Sequence, residues 1–355
     1  MQRLRVQRFA AAGVALVAIT SFTAACSSNN NSGSGGSSGL SGTLNGSGST
    51  FQLTFQQAAI QQYKSIEPKV TVNYGGGGSG KGRTDLSSNV VQFAGSDSPI
   101  PSDEVSSFKG KTVLYFPVIM GPITMSYNLS GVKNLKLTPQ VISSIFQGQI
   151  KKWDDPAIKA INPGVNLPST PIALAVRADS SGTTQNFTLF LQKSVGSAWK
   201  LGSSSTISWP SGAHAAQGNG GVAQVVKTTP GAIGYVDYAD AKAAGLSFAS
   251  VKNKDGSYVA PSPAGASAAG KTVTVAPNLT FAAVWQSGAT AYPITYQSWD
   301  LVYQKQSSAS TAKNLKSYIG YLLGDGQKLL PSLGYAPLPS NIDQKAKAQL
   351  SKIGS

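Results

Sequence analysis

A short strand, a polar turn and a helix follow one another within residues 172–191, and this succession constrains the fold more than any other stretch of the chain. Residues 172–176 (IALAV) form an apolar run typical of a buried strand, and Phe187 and Phe190 then recur at helical spacing. The turn at residues 177–183 (RADSSGT) therefore lies where a strand ends and a helix begins. Such strand-turn-helix units are the repeating element of α/β proteins.

The chemical groups of this turn suit an anion. The first N–H groups of a helix lack intrahelical partners and carry partial positive charge, so they attract anions. Arg177 adds a cation that can hold an oxyanion through two hydrogen bonds, and Asp179 can fix its guanidinium group. The alternative is structural: Ser180 or Ser181 caps the helix while Arg177 makes a surface ion pair. The rest of the chain has to decide between the two interpretations.

From Leu40 onward the chain alternates strand-like and helix-like patterns, which predicts an α/β body. The clearest strands are predicted at residues 70–74, 113–116, 123–127 and 233–236, and the clearest helices at 51–66 and 311–323. Residues 253–278, rich in Gly, Ala, Ser and Pro, predict a loop or irregular insertion. Asp155 followed by Pro156 predicts a helix start, and not a catalytic carboxylate pair with Asp154.

The N-terminus has the pattern of an export signal. Three arginines precede an apolar run from Phe9 to Phe22, which is shorter than a membrane span. Cys26, the only cysteine, follows two alanines as at bacterial lipoprotein cleavage sites, although Thr23 stands where Leu or Val is usual. We expect residues 1–26 to be a lipoprotein signal peptide with Cys26 lipidated. An ordinary signal peptide that happens to contain a cysteine is the alternative.

Residues 27–39 are nearly all Ser, Asn and Gly, which predicts a flexible linker because they cannot bury enough apolar surface to fold. We therefore expect an extracytoplasmic protein anchored to the cell membrane by a lipidated cysteine. The formal net charge is +15, and removal of residues 1–26, with three arginines and no acidic residue, leaves +12. The lysines are scattered and no basic run with interleaved aromatics is present, which argues against nucleic-acid binding. A basic surface of this kind favours the gathering of small anions.

Two glycine-rich segments repeat the chemistry of the first turn. Residues 46–51 (GSGSTF) end where the helix at 51–66 begins, which puts Thr50 at the positive end of that helix. Residues 75–82 (GGGGSGKG) follow a strand and let the backbone approach a ligand closely. This segment comes within one residue of a nucleotide-binding P-loop, but Gly82 stands where that motif needs Ser or Thr for magnesium. A nucleotide site is therefore disfavoured.

Asp97 lies in the segment at residues 91–99 (VQFAGSDSP), which places it just beyond the end of another predicted strand. The ligands of open α/β sheets gather just beyond such strand ends. Taken alone, Asp97 would be interpreted as a turn or helix-capping residue.

Together these segments resemble the phosphate-binding proteins of Pst-type ABC transporters, in their periplasmic or lipoprotein form. The resemblance extends from about Leu40 to the C-terminus. It rests on anion-binding segments and on others with no obvious chemistry, which occur in the family's order at residues 48–51, 96–97, 150–158, 177–183, 230–236 and 333–339. Each piece is weak alone, but their co-occurrence in this order is highly specific.

The resemblance implies a type II periplasmic-binding-protein fold, in which two α/β lobes joined by two crossover strands bury phosphate between them. Lobe I would comprise residues 40–119 and 293–355, lobe II residues 120–292, and the crossovers near residues 118–121 and 291–295 would act as a hinge. The implied phosphate ligands are Thr50, Phe51 (through its backbone N–H), Ser79, Asp97, Arg177, Ser181, Gly182 and Thr183, with Asp179 supporting Arg177. The chain departs from the family pattern around Ser79, because Lys81 interrupts what is usually a run of small residues.

The implied function is capture of inorganic phosphate by a monomer that delivers it to an ABC permease, without a cofactor or metal. Donors such as Arg177 serve phosphate and sulfate alike, but near neutral pH only phosphate keeps a proton. An ionised Asp97 can only accept a hydrogen bond, so it favours phosphate. A site built around such a bond can reject an analogue that lacks it by roughly 10⁴-fold. A binding protein for another tetrahedral oxyanion, sulfate or arsenate, is the close alternative.

Reactive groups are too few to favour an enzyme. His214 is the only histidine and Cys26 the only cysteine, so Ser181 has no obvious general base. No cluster of His, Cys and carboxylate residues has metal-ligand spacing. We expect a binding protein that is not an enzyme, and an exported phosphatase is the less favoured alternative.

Overall fold

The computed structural model describes residues 39–355, in which strands and helices alternate along most of the chain. The strands are β1 Gly42–Gly48, β2 Val70–Gly75, β3 Phe93–Ser96, β4 Val113–Tyr127, β5 Lys136–Leu137, β6 Ala173–Arg177, β7 His214–Ala216, β8 Ala232–Asp237, β9 Ser247–Phe248, β10 Ser250–Lys252, β11 Tyr258–Val259 and β12 Thr295–Tyr303. The α-helices are α1 Leu53–Ile66, α2 Ser79–Ser87, α3 Pro139–Phe146, α4 Pro156–Ala160, α5 Gly182–Val195, α6 Gly218–Thr228, α7 Tyr238–Ala243, α8 Pro263–Gly270, α9 Ala309–Leu323, α10 Leu330–Leu333 and α11 Ser340–Gln349.

The predicted signal peptide at residues 1–26, the lipidation site Cys26 and the predicted linker up to residue 38 lie outside the described residues. Within residues 39–355, none of the helices combines the length and the apolar character that crossing a bilayer requires.

Most strands join one mixed sheet in the order β2-β1-β3-β12-β4-β8-β6-β7, and β9 also pairs with β4. Parallel pairs occupy the two ends of the sheet, where β1 lies between β2 and β3, and β6 lies between β7 and β8. The central strands β12 and β4 run antiparallel to each other and to their outer neighbours β3 and β8. This mixed sheet with intervening helices is the α/β fold that the sequence predicts.

The long central strand β4 has 15 residues and is buried along nearly its whole length. It pairs with β12 as far as Pro122 and with β8 from Ile123 onward. The sequence pattern predicts two separate strands here, at residues 113–116 and 123–127, so the continuous strand is a correction. Pro117 is accommodated where the register with β12 shifts, and Pro122 where β4 exchanges one partner for the other, so neither proline ends the strand.

The neighbours of β4 on its two sides come from the two predicted lobes. β1, β2, β3 and β12 lie within residues 40–119 and 293–355, whereas β6, β7 and β8 lie within residues 120–292. The division into two lobes with a hinge between them stays a prediction.

Local capping explains where several helices begin. Asp155 Oδ1 accepts a hydrogen bond from the Ala157 N–H at 2.9 Å, and Pro156 opens α4, as predicted. Residues 253–278 are less irregular than predicted, because they contain β11 and α8. The start of α8 has the same chemistry as that of α4, since Ser262 caps it and Pro263 is its first residue.

The apolar face of α1 packs into the core through Phe55, Ala59 and Tyr63, as its helical spacing predicts. The same spacing puts Ile66 on this face, but Ile66 is 53% exposed at the last position of the helix.

A buried polar layer lies between α1 and β12. Gln56 Nε2 lies 3.3 and 3.2 Å from the two carboxylate oxygens of Asp300, and Tyr318 Oη donates to Gln56 Oε1 at 2.6 Å. All three side chains are fully buried. Burial raises the pKa of Asp300 to about 7, while hydrogen bonds from Gln56 and Gln52 act in the opposite direction.

Asp300 should therefore make the stability of the ligand-free protein depend on pH. The pKa in the folded state, about 7, lies above the ordinary value of 3.8, so the carboxylate costs stability progressively as the pH rises between these values. Asp300→Asn removes this cost. Relative to wild type, we expect the free energy of unfolding of the variant to rise by on the order of 3 kcal/mol between about pH 4.5 and pH 8. Urea denaturation at both pH values measures this, and a difference independent of pH would contradict it.

Candidate functional site

The predicted site residues connect strand ends to helix starts. Three strands of the main sheet, β1, β3 and β6, supply the ends, and α1, α2 and α5 supply the starts, where free N–H groups and partial positive charge lie. Thr50 and Phe51 join β1 to α1, Ser79 opens α2, Asp97 follows β3, Arg177 ends β6, Ser181 caps α5, and Gly182 and Thr183 open it. The placement of Ser79 in a helical first turn, and not in an open glycine loop, is a correction to the sequence analysis.

The carboxylate of Asp97 is surrounded by hydroxyl donors. Ser49 Oγ and Ser298 Oγ each donate to Asp97 Oδ1 at 2.5 Å, and Ser79 Oγ lies 3.3 Å from Oδ2. The Asp97 N–H in turn donates to Ser79 Oγ at 3.0 Å. The residue is 2% exposed, so these groups replace the water that the carboxylate would otherwise bind.

Two opposing effects set the protonation of this carboxyl group. Burial raises the pKa of Asp97, whereas the hydrogen bonds from Ser298 and Ser49, the charge of Arg177 and the hydrogen bond from Ser79 lower it. The ionised form is an acceptor and cannot donate. A ligand beside Asp97 must therefore bring its own proton to make a hydrogen bond with it.

Arg177 and Asp179 form a buried pair. Arg177 Nε donates to Asp179 Oδ1 at 2.8 Å, and Nη2 donates to Oδ2. The Arg177 side chain is 1% exposed, which excludes the surface ion pair that the sequence left open. Burial acts to raise the pKa of Asp179, but the hydrogen bonds and charge of Arg177 outweigh it and hold this pKa below its ordinary value. The third guanidinium nitrogen, Nη1, lies 3.4 Å from Thr183 Oγ1 and so points toward the start of α5.

The start of α5 lies directly against Asp97. Ser181 Oγ accepts from the Thr184 N–H at 3.1 Å, so the helix-capping role that the sequence left open is present. A β-carbon on Gly182 would lie 2.5 Å from Asp97 Cβ and 2.7 Å from Asp97 Oδ2, so glycine is required at this position. The first N–H groups of α5 are thereby brought beside the carboxylate.

Phe51 anchors the loop before α1 through its ring. The ring stacks on Tyr296 with centroids 3.9 Å apart and meets Tyr335 edge-on at 5.3 Å. Tyr335 Oη also donates to the Phe51 carbonyl at 2.8 Å. These contacts fix the backbone of the segment whose N–H is, by the family resemblance, an expected ligand of the anion.

Asn219, at the start of α6, connects segments that belong to the two predicted lobes. Its Nδ2 donates to Thr50 Oγ1 at 3.2 Å and to Thr183 Oγ1 at 3.3 Å, and its backbone N–H lies 3.3 Å from Thr50 Oγ1. The preceding Gly218 N–H donates to Asp179 Oδ1 at 3.0 Å. Because each threonine oxygen accepts here, its own proton is left to donate elsewhere.

Sequence reasoning missed Ser49, Ser298 and Asn219. Ser49 lies inside the glycine-rich segment before α1, and Asn219 opens a strand-glycine-helix unit at residues 218–221 (GNGG), so both had a local signal. Ser298 had none, because it reaches Asp97 from a strand 201 positions further along the chain.

Metal-binding groups do not cluster in the part of the chain that the structure describes. Among residues 39–355, no group of three or more His, Cys, Asp or Glu side chains is arranged to hold a metal ion. His214 lies exposed on β7.

Comparison of the sequence with known proteins assigns this protein to a family. The model of a family described as a PBP superfamily domain matches residues 33–325. Phosphate-binding protein PstS 3 of Mycobacterium leprae (strain TN) is 32% identical over 327 residues, covering 88% of this chain and 87% of the relative. Phosphate-binding protein PstS of Pasteurella multocida (strain Pm70) is 33% identical over 313 residues, covering 86% of this chain and 89% of the relative.

Solved structures agree on the fold. A periplasmic phosphate-binding protein, PfluDING, solved with bound phosphate, superposes with a TM-score of 0.72 at 24% identity, covering 87% of this chain and 94% of that one. A putative phosphate ABC transporter substrate-binding protein from Clostridium perfringens superposes with a TM-score of 0.61 at 18% identity, covering 84% of this chain and 100% of that one. The chain therefore belongs to the PBP superfamily and, within it, to the family of PstS phosphate-binding proteins.

Proposed function

We propose that this protein captures inorganic phosphate outside the cytoplasm and delivers it to an ABC permease. The anion would lie among the helix starts and strand ends described above. Its proposed ligands are Thr50, Phe51 through its N–H, Ser79, Asp97, Arg177, Ser181, Gly182 and Thr183. The observation that carries the proposal is the position of Asp97, a buried carboxylate placed among the donors of an anion site.

The donors suit a tetrahedral anion. Arg177 supplies charge, and Asp179 holds two of its nitrogens, so Nη1 points toward Thr183 at the start of α5. Thr50 and Thr183 both accept from Asn219, which leaves their own protons for the anion. The N-termini of α1, α2 and α5 add backbone N–H groups and partial positive charge.

Asp97 supplies the selectivity. Phosphate near neutral pH keeps at least one proton and can donate it to Asp97, whereas sulfate has none to give. With sulfate, the buried carboxylate would face an oxyanion without a hydrogen bond between them. A sulfate receptor is disfavoured for this reason, whereas arsenate, protonated as phosphate is, should compete.

Binding is favoured over catalysis because the hydroxyls of the site serve other roles. Ser181 caps α5, and the carboxylates of Asp97 and Asp179 are held by serine hydroxyls and by Arg177. No general base is thereby assigned to activate a nucleophile.

Anchoring and closure are parts of the same proposal. Lipidation of Cys26 would hold the protein at the membrane beside its permease, with residues 27–39 as a tether, and the protein would act as a monomer. An anion held by Thr50 and Asp97 of lobe I and by Arg177 of lobe II would draw the two lobes together. Closure would let a permease distinguish the loaded from the empty form.

Asp97→Asn should narrow the preference for phosphate over sulfate by at least about tenfold, because the amide can donate to a fully deprotonated anion. Competition binding at neutral pH measures the ratio of the two affinities. Asp85→Asn is the matched control, since it makes the same change in α2 on a carboxylate that accepts from Ser47 and Lys81. Equal discrimination by Asp97→Asn and wild type would remove the selectivity role of Asp97.

Arg177→Ala should weaken phosphate binding by roughly 2–5 kcal/mol, because a charged hydrogen-bond donor is lost from a buried site. Lys81→Ala removes the same charge from an exposed position on α2 and should change the affinity by less than about 1 kcal/mol. Titration calorimetry measures the phosphate affinity of both variants, and the comparison separates direct contact of Arg177 with the anion from general electrostatic attraction by the protein. Similar losses in the two variants would count against Arg177 as a ligand.

Cys26→Ser should release the protein from the membrane fraction, because the proposed lipid would no longer be attached. Fractionation of cells that express wild type or variant, followed by immunoblotting, measures the distribution. Retention of the variant on membranes to the same extent as wild type would refute the anchor.

A further inference from the structure

A chain of buried polar side chains runs from the far end of the α1–β12 layer to Asp97. Gln52 and Gln56 are four positions apart at the start of α1, and so share one helical face. Ser298 and Asp300 are two positions apart on β12, and so share one face of the strand. The two polar pairs lie opposite each other, and all four side chains are fully buried.

The hydrogen bonds that link these side chains all run in one direction, from Tyr318 toward Asp97. Tyr318 Oη donates to Gln56 Oε1 at 2.6 Å, so the Gln56 amide nitrogen faces the other way. That nitrogen donates to Asp300 and, at 2.9 Å, to Gln52 Oε1. The Gln52 nitrogen then donates to Ser298 Oγ at 2.8 Å and to the Trp299 carbonyl at 2.9 Å.

Ser298 is the last member before the anion site. A hydroxyl has one proton, and the Ser298 oxygen already accepts from Gln52. Ser298 Oγ lies 2.5 Å from Asp97 Oδ1 and 3.3 Å from the Ser96 carbonyl, so the shorter hydrogen bond goes to Asp97. Hydrogen bonds in a chain polarise one another, so the donation from Gln52 strengthens the donation from Ser298. Each step from Tyr318 onward thus favours Asp97 as an ionised acceptor.

We propose that Gln52 and Gln56 are positioning residues for anion selectivity: through Ser298 they hold Asp97 in the acceptor state that admits a protonated oxyanion and rejects an unprotonated one. Asp300 serves as the acceptor that fixes the Gln56 amide. This inference rests on the proposed phosphate-binding function and adds the residues that maintain its selectivity.

Other groups surround Asp97 and do not belong to this hydrogen-bond network. Arg177 favours the ionised form from the β6 side. Burial, together with the charge of Asp97, raises the pKa of Tyr74 on β2, of Tyr296 on β12 and of Tyr335 after α10, so these tyrosines stay neutral. Ser49 and Ser79 donate from the ends of β1 and the start of α2. Substitution of a glutamine in the chain leaves all of these groups in place.

The test is the ratio of phosphate to sulfate affinity in Gln52→Met, which keeps the length of the side chain and removes its amide. We expect this ratio at pH 7 to fall about tenfold, because a hydrogen-bond chain to a charged group is broken and Asp97 becomes protonated more easily. Gln349→Met is the matched control. Gln349 is also buried, and its Nε2 donates to the Tyr115 carbonyl, which is not part of this hydrogen-bond network. This control should keep the ratio of wild type.

The pH profile distinguishes positioning from simple loss of structure. If Gln52→Met raises the pKa of Asp97, its phosphate preference relative to wild type should recover as the pH is raised, because the carboxyl group ionises again. Variant and wild type are compared at each pH, because Asp300, with a pKa of about 7, ionises near neutral pH in wild type as well. Tyr318→Phe removes only the hydroxyl that orients Gln56 and should lower the ratio in the same direction, by about threefold. It also provides the test if Gln52→Met does not fold.

Three results would overturn the inference. The first is a folded Gln52→Met variant, or in its absence Tyr318→Phe, that keeps the ratio of wild type. The second is a lowered ratio that does not recover at higher pH, which would indicate general damage to the site. The third is failure of wild type to bind phosphate in the same calorimeter, which would refute the proposed function as well. If wild type prefers phosphate to sulfate and the variants have the same preference, only the positioning role is refuted.

Discussion

The removal of one carboxylate from water is the constraint on which the rest of this site depends. Asp97 is 2% exposed, and a carboxylate without water is stable only where other donors surround it. Ser49, Ser79 and Ser298 are those donors, and they come from three different elements of the fold. The sheet order explains how they meet, because β3, which ends beside Asp97, lies between β1 and β12.

The two carboxylates of the site have opposite surroundings. Asp179 lies against the guanidinium group of Arg177, and its pKa falls below the ordinary value even though burial opposes this. Asp97 has hydroxyl donors and only a more distant charge, and burial raises its pKa. Asp179 is therefore occupied with orienting Arg177, whereas in the proposed function Asp97 is the carboxylate that accepts a hydrogen bond from a protonated ligand. The selectivity in the account comes from this division of roles.

How much of the site could be predicted from the sequence depends on the range of the interactions. Arg177 pairs with Asp179 and Ser181 caps α5 through contacts between residues two or three positions apart, so a local pattern of strand, turn and helix predicts them. Ser298 and Gln52 are linked by a hydrogen bond across 246 positions, which no local pattern encodes. Family resemblance did not supply them either, because it was carried by segments and not by the contacts between segments.

The fold shows the same limit. Helix starts were predicted well where the residue types match a helix cap, as at Asp155 and Pro156. The continuity of β4 was missed, because residues 117–122, where the register shifts and the strand changes partners, look along the chain like a break between two strands. Whether these residues form one strand or two depends on which strands they pair with, and the pairing is set by the whole sheet.

The central claim is that a buried acceptor makes this an anion site for protonated tetrahedral oxyanions. Titration calorimetry of the wild-type protein with phosphate, with and without sulfate in about hundredfold excess over phosphate, tests it most directly. The account predicts binding of one phosphate per chain, with an affinity that the sulfate changes by less than about twofold at equal ionic strength. Displacement of phosphate by that excess of sulfate, or no binding of phosphate at all, would contradict it.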